Sequence, residues 1–341
     1  MSVEEGTRTP SIPPGLTVRE ATVEDNDSLI ALELQSPLLI GHVEESFDRS
    51  PDFFACHRLQ GQHRIVLGEL KGRVVGVMTG VIHSPVIQGR PHHLVYIQQA
   101  RVHPDFHGRG VAWALATDLF AWARERGAEG PYYLIAPENK PSVAFVGRGG
   151  GRWPVDVTLL EFDVSQAQGR QMERIPAKQL GEAVRLVNMT HAGEDFFEPL
   201  TQESLTTRLR RDRQYSIDNL HGIFAGGTLV AVGGLWDKGA TTERIHVERT
   251  TGATTRSRGA AVVDWGWAAG RREAFIELLR CLAAEARALG RSTLTVCEPS
   301  PGALPDPELL RRRSTVSLFT PTVEPPPADS IRGLYVDMLY L

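Results

Sequence analysis

At 341 residues with a formal net charge of −4, the chain is too long for one ordinary small core, and two domains of roughly 150 residues each are expected. Apolar residues make up 41% and charged ones 23%, a globular balance that excludes a disordered or fibrous chain and points to no nucleic-acid or membrane partner. The three cysteines, Cys56, Cys281 and Cys297, are far apart and odd in number, which fits a reducing cytoplasm; no pair has metal-ligand spacing, so no metal is expected.

Residues 1–15 read as a loose arm without the basic start and apolar core of a signal peptide, and a cytoplasmic location is expected. "LTVREATVED" follows as a short strand into a helix start, with Thr22 and Asp25 at capping-box spacing. "RIVLGELKGRVVGVMTGVIHS" is a hairpin turning at Lys71-Gly72, and "HHLVYIQQARV" is a further strand. From there "HPDFHGRG" leads into a helix whose Val111, Leu115, Leu119 and Trp122 make a buried stripe, closed by Gly127. "PYYLIAPE" is the next strand, residues 139–146 a short helix, and "VTLLEFDVS" a strand. The polar stretch 165–175 marks a domain boundary, giving domains over 16–165 and 166–341.

The second half repeats this order. It runs from a helix near 178–190 through a hairpin at Gly226-Gly227, the strand "GAAVVDWGWAAG", the long helix "REAFIELLRCLAAEARALG" and the strand "STLTVCEP" to a closing strand "RGLYVDMLYL". Laying Gly290 on Gly127 without gaps places Leu278 on Leu115 and Leu282 on Leu119, so the two halves are copies of one fold. The fold class is α/β, two tandem units each with a mixed sheet flanked by helices. The basic runs 208–213 and 311–313 have no interleaved aromatics to stack on bases and read as solvated surface.

A strand feeding a glycine turn at a helix N-terminus makes an anion site, because the first helical N–H groups lack intrahelical partners and the dipole adds positive charge. Gly108 and Gly110 clear side chains from that approach, and Arg109 supplies a cation. The six-residue dinucleotide fingerprint is incomplete here, and the Gly-Lys-Ser/Thr of a nucleotide P-loop is absent.

The segment "VHPDFHGRGVA" resembles the acyl-CoA-binding motif of the GNAT N-acetyltransferases: Val102, Pro104, Gly110 and Ala112 match, and His107 stands where Gln or Arg is usual. "PENKPSVAF" resembles the following segment of that family, with Asn139 in place of its Asn. The resemblance covers residues 16–165 and implies acetyl-CoA or another acyl-CoA as co-substrate. Its pyrophosphate would lie on the N–H groups from Gly108 through Arg109, Gly110 and Val111 to Ala112, and its pantetheine arm along Ala100 and Val102. The implied reaction moves an acetyl group to a primary amine of a small molecule. A mycothiol-synthase-like acetyltransferase and a non-catalytic acyl-CoA-binding module are the alternatives, and the oligomeric state is left open.

Members of that family often carry an acidic residue before the motif valine and a tyrosine after the Asn. Here Gln98 and Gln99 occupy the first place and Val146 the second, so both usual catalysts are replaced. Tyr96 and Gln98 are the nearest substitutes on the strand, and Glu138, His83 and His93 are further candidates that read as ordinary surface. In the gapless register Glu273 falls on Gly110, where a negative side chain would repel a pyrophosphate. The second copy is therefore expected to be degenerate.

Overall fold

The computed structural model describes residues 11–149, 152–299, 304, 310–320 and 333–340. In the first half, β1 (Thr17–Glu20), α1 (Asn26–Gln35), β2 (Leu38–Ile40) and β3 (Val43–Asp48) lead to the hairpin β4 (His63–Leu70) and β5 (Arg73–His83). A two-residue hairpin, β6 (Val86–Ile87) and β7 (Arg90–Pro91), precedes β8 (Leu94–Val102), α2 (Val111–Glu125), β9 (Gly130–Ile135), α3 (Lys140–Arg148) and β10 (Arg152–Asp163). The second half opens with β11 (Glu173–Arg174), α4 (Leu180–Thr190), α5 (Gln202–Arg211), β12 (Leu220–Ala225) and β13 (Thr228–Trp236). It continues with β14 (Glu243–Glu248), β15 (Thr254–Ser257), β16 (Gly259–Trp267), α6 (Arg272–Ala288), β17 (Thr293–Glu298) and β18 (Leu310–Thr320).

Both halves share one twelve-stranded sheet, ordered β1-β4-β5-β8-β9-β18-β10-β17-β16-β13-β12-β11. Its centre is an exchange of strands. The last strand of the second half, β18, pairs with β9 (Phe319 opposite Tyr133), while β10 of the first half pairs with β17 (Leu160 opposite Val296). A smaller sheet, β15-β14-β3-β2, also joins the halves, with Ile245 opposite Ser46. The helix α2 packs its predicted stripe onto one face of the sheet: Leu115 and Leu119 are fully buried, with Val111 and Trp122 beside them. On the other face α1 buries Leu29, Ile30 and Leu32 against Val77 of β5.

Two expectations need correction. The closing segment is no strand: it makes one isolated bridge, Asp195 with Leu334, and a 3-10 turn at Met338–Tyr340, while Arg332 and Leu341 lie outside the described residues. The successive residues Leu334, Tyr335 and Val336 are all buried, which the alternation of a half-exposed strand does not allow. The first basic run is not all solvated surface either. Arg208 is 7% exposed, because its guanidinium turns inward to the carboxylates of Asp264 and Asp337. In the second run Arg313 lies on β18 and pairs with Glu298, and the side chain of Arg311 lies outside what is described. Residues 1–10 of the expected arm also lie outside the described residues.

Candidate active site

The strands β8 and β9 run parallel and pair from Leu94–Gly130 to Ile97–Tyr133, and there the pairing stops. Beyond it the sheet opens. At the same point β8 carries a bulge: Gln99 has φ +48°, and the register against β5 slips between Val77 and Thr79. Ala100, just past the bulge, is exposed, and Val102 is half-buried. An edge of main chain from Gln98 to Val102 thus lines the opening, as a strand-like ligand requires.

The turn into α2 stands at the end of this edge. Gly108 and Gly110 both have left-handed φ, +72° and +75°, a conformation that by itself favours glycine. A side chain on Gly108 would meet nothing within 4 Å, whereas a Cβ on Gly110 would lie 2.7 Å from the carbonyl oxygen of Ser11. Gly110 therefore also makes room for the chain's own residues 11–12, a role separate from any ligand. The first α2 amide with a helical acceptor is that of Ala114, bonded to Gly110 O at 3.0 Å, so the N–H groups of Val111, Ala112 and Trp113 have no carbonyl within their own helix. The Val111 side chain is core, leaving only its backbone to serve a ligand.

His107, the departure from the motif, has a structural task. Its Nε2 donates to Val102 O at 2.8 Å, tying the turn back to the end of β8. The Arg109 guanidinium lies 5.7 Å from the Phe106 ring centroid on the exposed face of the turn. Asn139 follows β9 and is buried, and its Oδ1 caps α3 by accepting from Ser142 N at 3.3 Å.

The two glutamines of the bulge both reach residues 57–60. The Gln98 amide donates to Gln60 Oε1 at 2.6 Å, and Gln60 in turn donates to Leu339 O at 2.9 Å. With its amide turned so that oxygen faces Arg49, Gln99 accepts from that guanidinium at 2.7 and 3.0 Å and donates to His57 Nε2 at 2.6 Å. His57 Nδ1 then donates to Gln60 Oε1 at 3.0 Å. Burial and the Arg49 charge lower the His57 pKa to about 3, so the ring is neutral. Gln98 is thus part of a satisfied amide network and holds no base.

Tyr96 lies one step before the opening, 2% exposed and stacked on Tyr132 with ring centroids 5.0 Å apart. Burial raises its phenol pKa and keeps the proton on it. His93 is held by Ser84 Oγ and Arg126 O, and Glu138 is exposed. His83 is not the surface residue its sequence context suggests, being 5% exposed with burial lowering its pKa to about 3. It lines a cavity of about 30 Å³ beside Leu134 and Leu318, together with Glu198, Arg208, Asp264 and Asp337. Sequence reasoning missed these acidic residues because they come from three separate segments. The only local sign was the acid-and-aromatic stretch "GEDFFEPL".

The second half keeps the frame and loses the room. Laid in phase on the buried stripes Leu115/Leu278 and Leu119/Leu282, α6 begins two residues earlier than α2, so Glu273 is already helical where Gly110 is left-handed. The connection shrinks from residues 103–110 to residues 268–271.

The sequence model of the acetyltransferase (GNAT) family matches residues 28–150, a span holding α1, the opening and the turn. No curated protein matches the sequence at a significant level. Among solved structures, the chain is similar to Saccharomyces cerevisiae N-myristoyltransferase with bound myristoyl-CoA, at TM-score 0.65 and 8% identity over 92% of this chain and 84% of that one. It is also similar to the GCN5-related glucosamine N-acetyltransferase region of a fungal multi-domain GH3 β-N-acetylglucosaminidase, at TM-score 0.59 and 14% identity over 90% of this chain and 38% of that one. A GCN5-related N-acetyltransferase from Sphaerobacter thermophilus aligns at TM-score 0.50 and 14% identity, over 91% of this chain and 96% of that one. At these identities the structures speak for the fold, and residues 28–150 are similar to the acetyltransferase (GNAT) family, an acyltransferase family.

Proposed function

We propose that the protein transfers an acetyl group from acetyl-CoA to a primary amine of a small molecule, with the acyl-CoA bound by the first half. The observation that carries this reading is the coincidence of three features at one place: the end of β8–β9 pairing at Ile97, the bulge at Gln99 and the unpaired N–H groups that open α2. The pyrophosphate would rest on the amides from Gly108 to Ala112. The pantetheine arm would follow Ala100 and Val102, which sets the thioester beside Gln98. The bound myristoyl-CoA of the yeast structure supports an acyl-CoA in this fold. No helix among the described residues is long and apolar enough to cross a membrane.

The bulge network leaves no carboxylate on β8, so the rate would come first from holding the thioester and a neutral amine in attacking geometry. Gln98, fixed through Gln60, positions the edge rather than moving a proton. Calorimetric titration with acetyl-CoA, followed by thiol release with a panel of amines, tests the reading. Micromolar binding and acceptor-dependent thiol release are expected. Failure to bind acetyl-CoA would overturn it, and binding without turnover across the panel would replace it with a ligand-binding module.

A further inference from the structure

A small cavity lies beside β9, next to where its pairing with β8 ends. Leu134 of β9 follows the last paired residue, Tyr133, so it stands level with Gln98 across the gap, and it borders the 30 Å³ cavity with Leu318 of β18. That volume holds about two water-sized groups, the size of an aminomethyl head. Three carboxylates, Glu198, Asp264 and Asp337, face a single guanidinium, Arg208. Arg208 is already committed, its Nη1 lying 2.5 Å from Asp264 and 2.8 Å from Asp337, and Asp264 also accepts from the Tyr215 hydroxyl at 2.9 Å.

Glu198 is the carboxylate left over. Its Oε2 lies 3.5 Å from His83 Nδ1, a ring that burial keeps neutral, and no Lys or Arg forms an ion pair with it among the described residues. The rings of Tyr132, Phe196 and Tyr335 complete the wall, with Tyr132 and Phe196 centroids 5.4 Å apart. A surplus carboxylate beside aromatic faces suits a small cation and repels an anion.

We propose that this cavity is the acceptor subsite and that it selects a primary alkylamine arriving as its ammonium, with Glu198 receiving the proton. The proposal rests on the acetyl-transfer reading above and adds the acceptor class and the base. In the step, the N–H bond of the ammonium breaks and its proton passes to the Glu198 carboxylate. The freed nitrogen lone pair then forms the C–N bond at the thioester carbon, and the C–S bond breaks. The thiolate takes the second proton of the attacking nitrogen, leaving amide and free CoA, and Glu198 returns its proton to solvent. Glu198 is suited to this because burial raises its carboxyl above the usual range, opposed by Arg208 and Arg211 of α5 and by the Ser84 amide, and aided by Asp337. The neutral His83 of β5 adds no charge.

The test compares wild type with Glu198→Gln, using acetyl-CoA and either butylamine or glycine as acceptor, with rates followed as a function of pH and butylammonium binding followed by calorimetry. The wild type should favour butylamine over glycine by about tenfold, on the order of what one half-buried charge confers. Glu198→Gln should lower kcat/KM by about 10²–10⁴-fold and remove the acidic limb of the pH profile. Butylammonium binding should weaken with it, while acetyl-CoA affinity stays unchanged as the check on folding. Unchanged kcat/KM and pH limb in the variant, a preference for glycine, or equal butylammonium binding in both proteins would overturn the subsite and leave acetyl transfer standing. Loss of acetyl-CoA binding by the wild type would overturn both.

Discussion

In the first half the strand that precedes the long helix ends beside open space; in the second half the equivalent strand ends against the chain itself. Both strands part from their neighbour after a few residues, β8 at Ile97 and β16 at Ala261, and both bulge through a left-handed residue, Gln99 at φ +48° and Asp264 at φ +47°. Superposing bulge on bulge sets Trp265 where the first half has Ala100. Ala100 is exposed, whereas Trp265 is 1% exposed and stacks on Phe275 with centroids 4.9 Å apart. The Trp265 carbonyl accepts from His191 Nε2 at 2.9 Å, and the tail from Gly333 folds in beside it, Leu334 bonding Pro299 O and Val336 bonding Cys297 Sγ. The main-chain device of splay and bulge survives in both copies. Whether it is a ligand cleft is decided by a few side chains and by the length of the turn that follows.

The largest effect should come from the charge that the second copy has buried at its bulge. Arg208→Ala strands Asp264 and Asp337 without their guanidinium, and loss of one partner of a buried pair costs about 3–5 kcal/mol. The sign with pH follows from Asp264, whose carboxyl already stands above its unfolded value because burial outweighs Arg208. A raised carboxyl gives stability that is lost as pH rises through its folded pKa, and removing Arg208 raises that pKa further. Urea melts should therefore show a larger deficit at neutral than at mildly acid pH. A deficit under about 1 kcal/mol would mean that solvent reaches the pair.

Converting the first cleft into the second is the next test. Ala100→Trp should weaken acetyl-CoA binding by a hundredfold or more, about 3 kcal/mol, by placing an indole where the pantetheine arm would run. Ala100 is exposed, so the melting temperature should move little. Unchanged affinity by calorimetry would move the arm off this edge and dissolve the contrast between the halves.

The legible part of this fold was the part written in short-range pattern. The stripe of α2, the hairpin at Lys71-Gly72 and the repeat of Leu115 and Leu119 as Leu278 and Leu282 follow from local periodicity, and the structure bears them out. The strand exchange was not legible, because Leu160 pairing with Val296 and Phe319 with Tyr133 are contacts between distant segments whose strands look alike in composition. The tail failed for a related reason. Its apolar residues promise a strand, but their burial on all sides is set by β16 and β17 beside them. At the site, the motif gave the turn and left out what Gln98 and Gln99 do, since Gln60, His57 and Arg49 reach them only in the folded chain.

A smaller effect separates the copies by pH. His57 in the first copy's bulge network has its pKa lowered from 6.5 to about 3, mainly by burial. A histidine depressed in the folded state gives stability that is lost as pH falls from its unfolded value toward its folded one. At about pH 5 the loss is roughly 2 kcal/mol relative to neutral pH. The bulge residue of the second copy, Asp264, changes stability in the opposite direction. In His57→Gln the acid-side decline should flatten by about one proton, and an unaltered slope in urea melts would show that His57 charges without unfolding its network.

The smallest effect concerns the turn itself. Since His107 Nε2 bonds the Val102 carbonyl across an exposed turn, His107→Ala should cost about 0.5 kcal/mol of stability, the low end for a single hydrogen bond. The larger consequence should be on the ligand. Freed from Val102, the amides at Gly108 and Gly110 lose their fixed aim, and acetyl-CoA affinity should fall several-fold. His107→Gln, which restores a donor of similar reach, should recover most of it. In the second copy no such tie is needed, because residues 268–271 are too few to form a loop that must be aimed. If His107→Ala binds acetyl-CoA as tightly as the wild type, the turn is held by its two left-handed glycines alone, and the histidine is a substitution the first cleft merely tolerates.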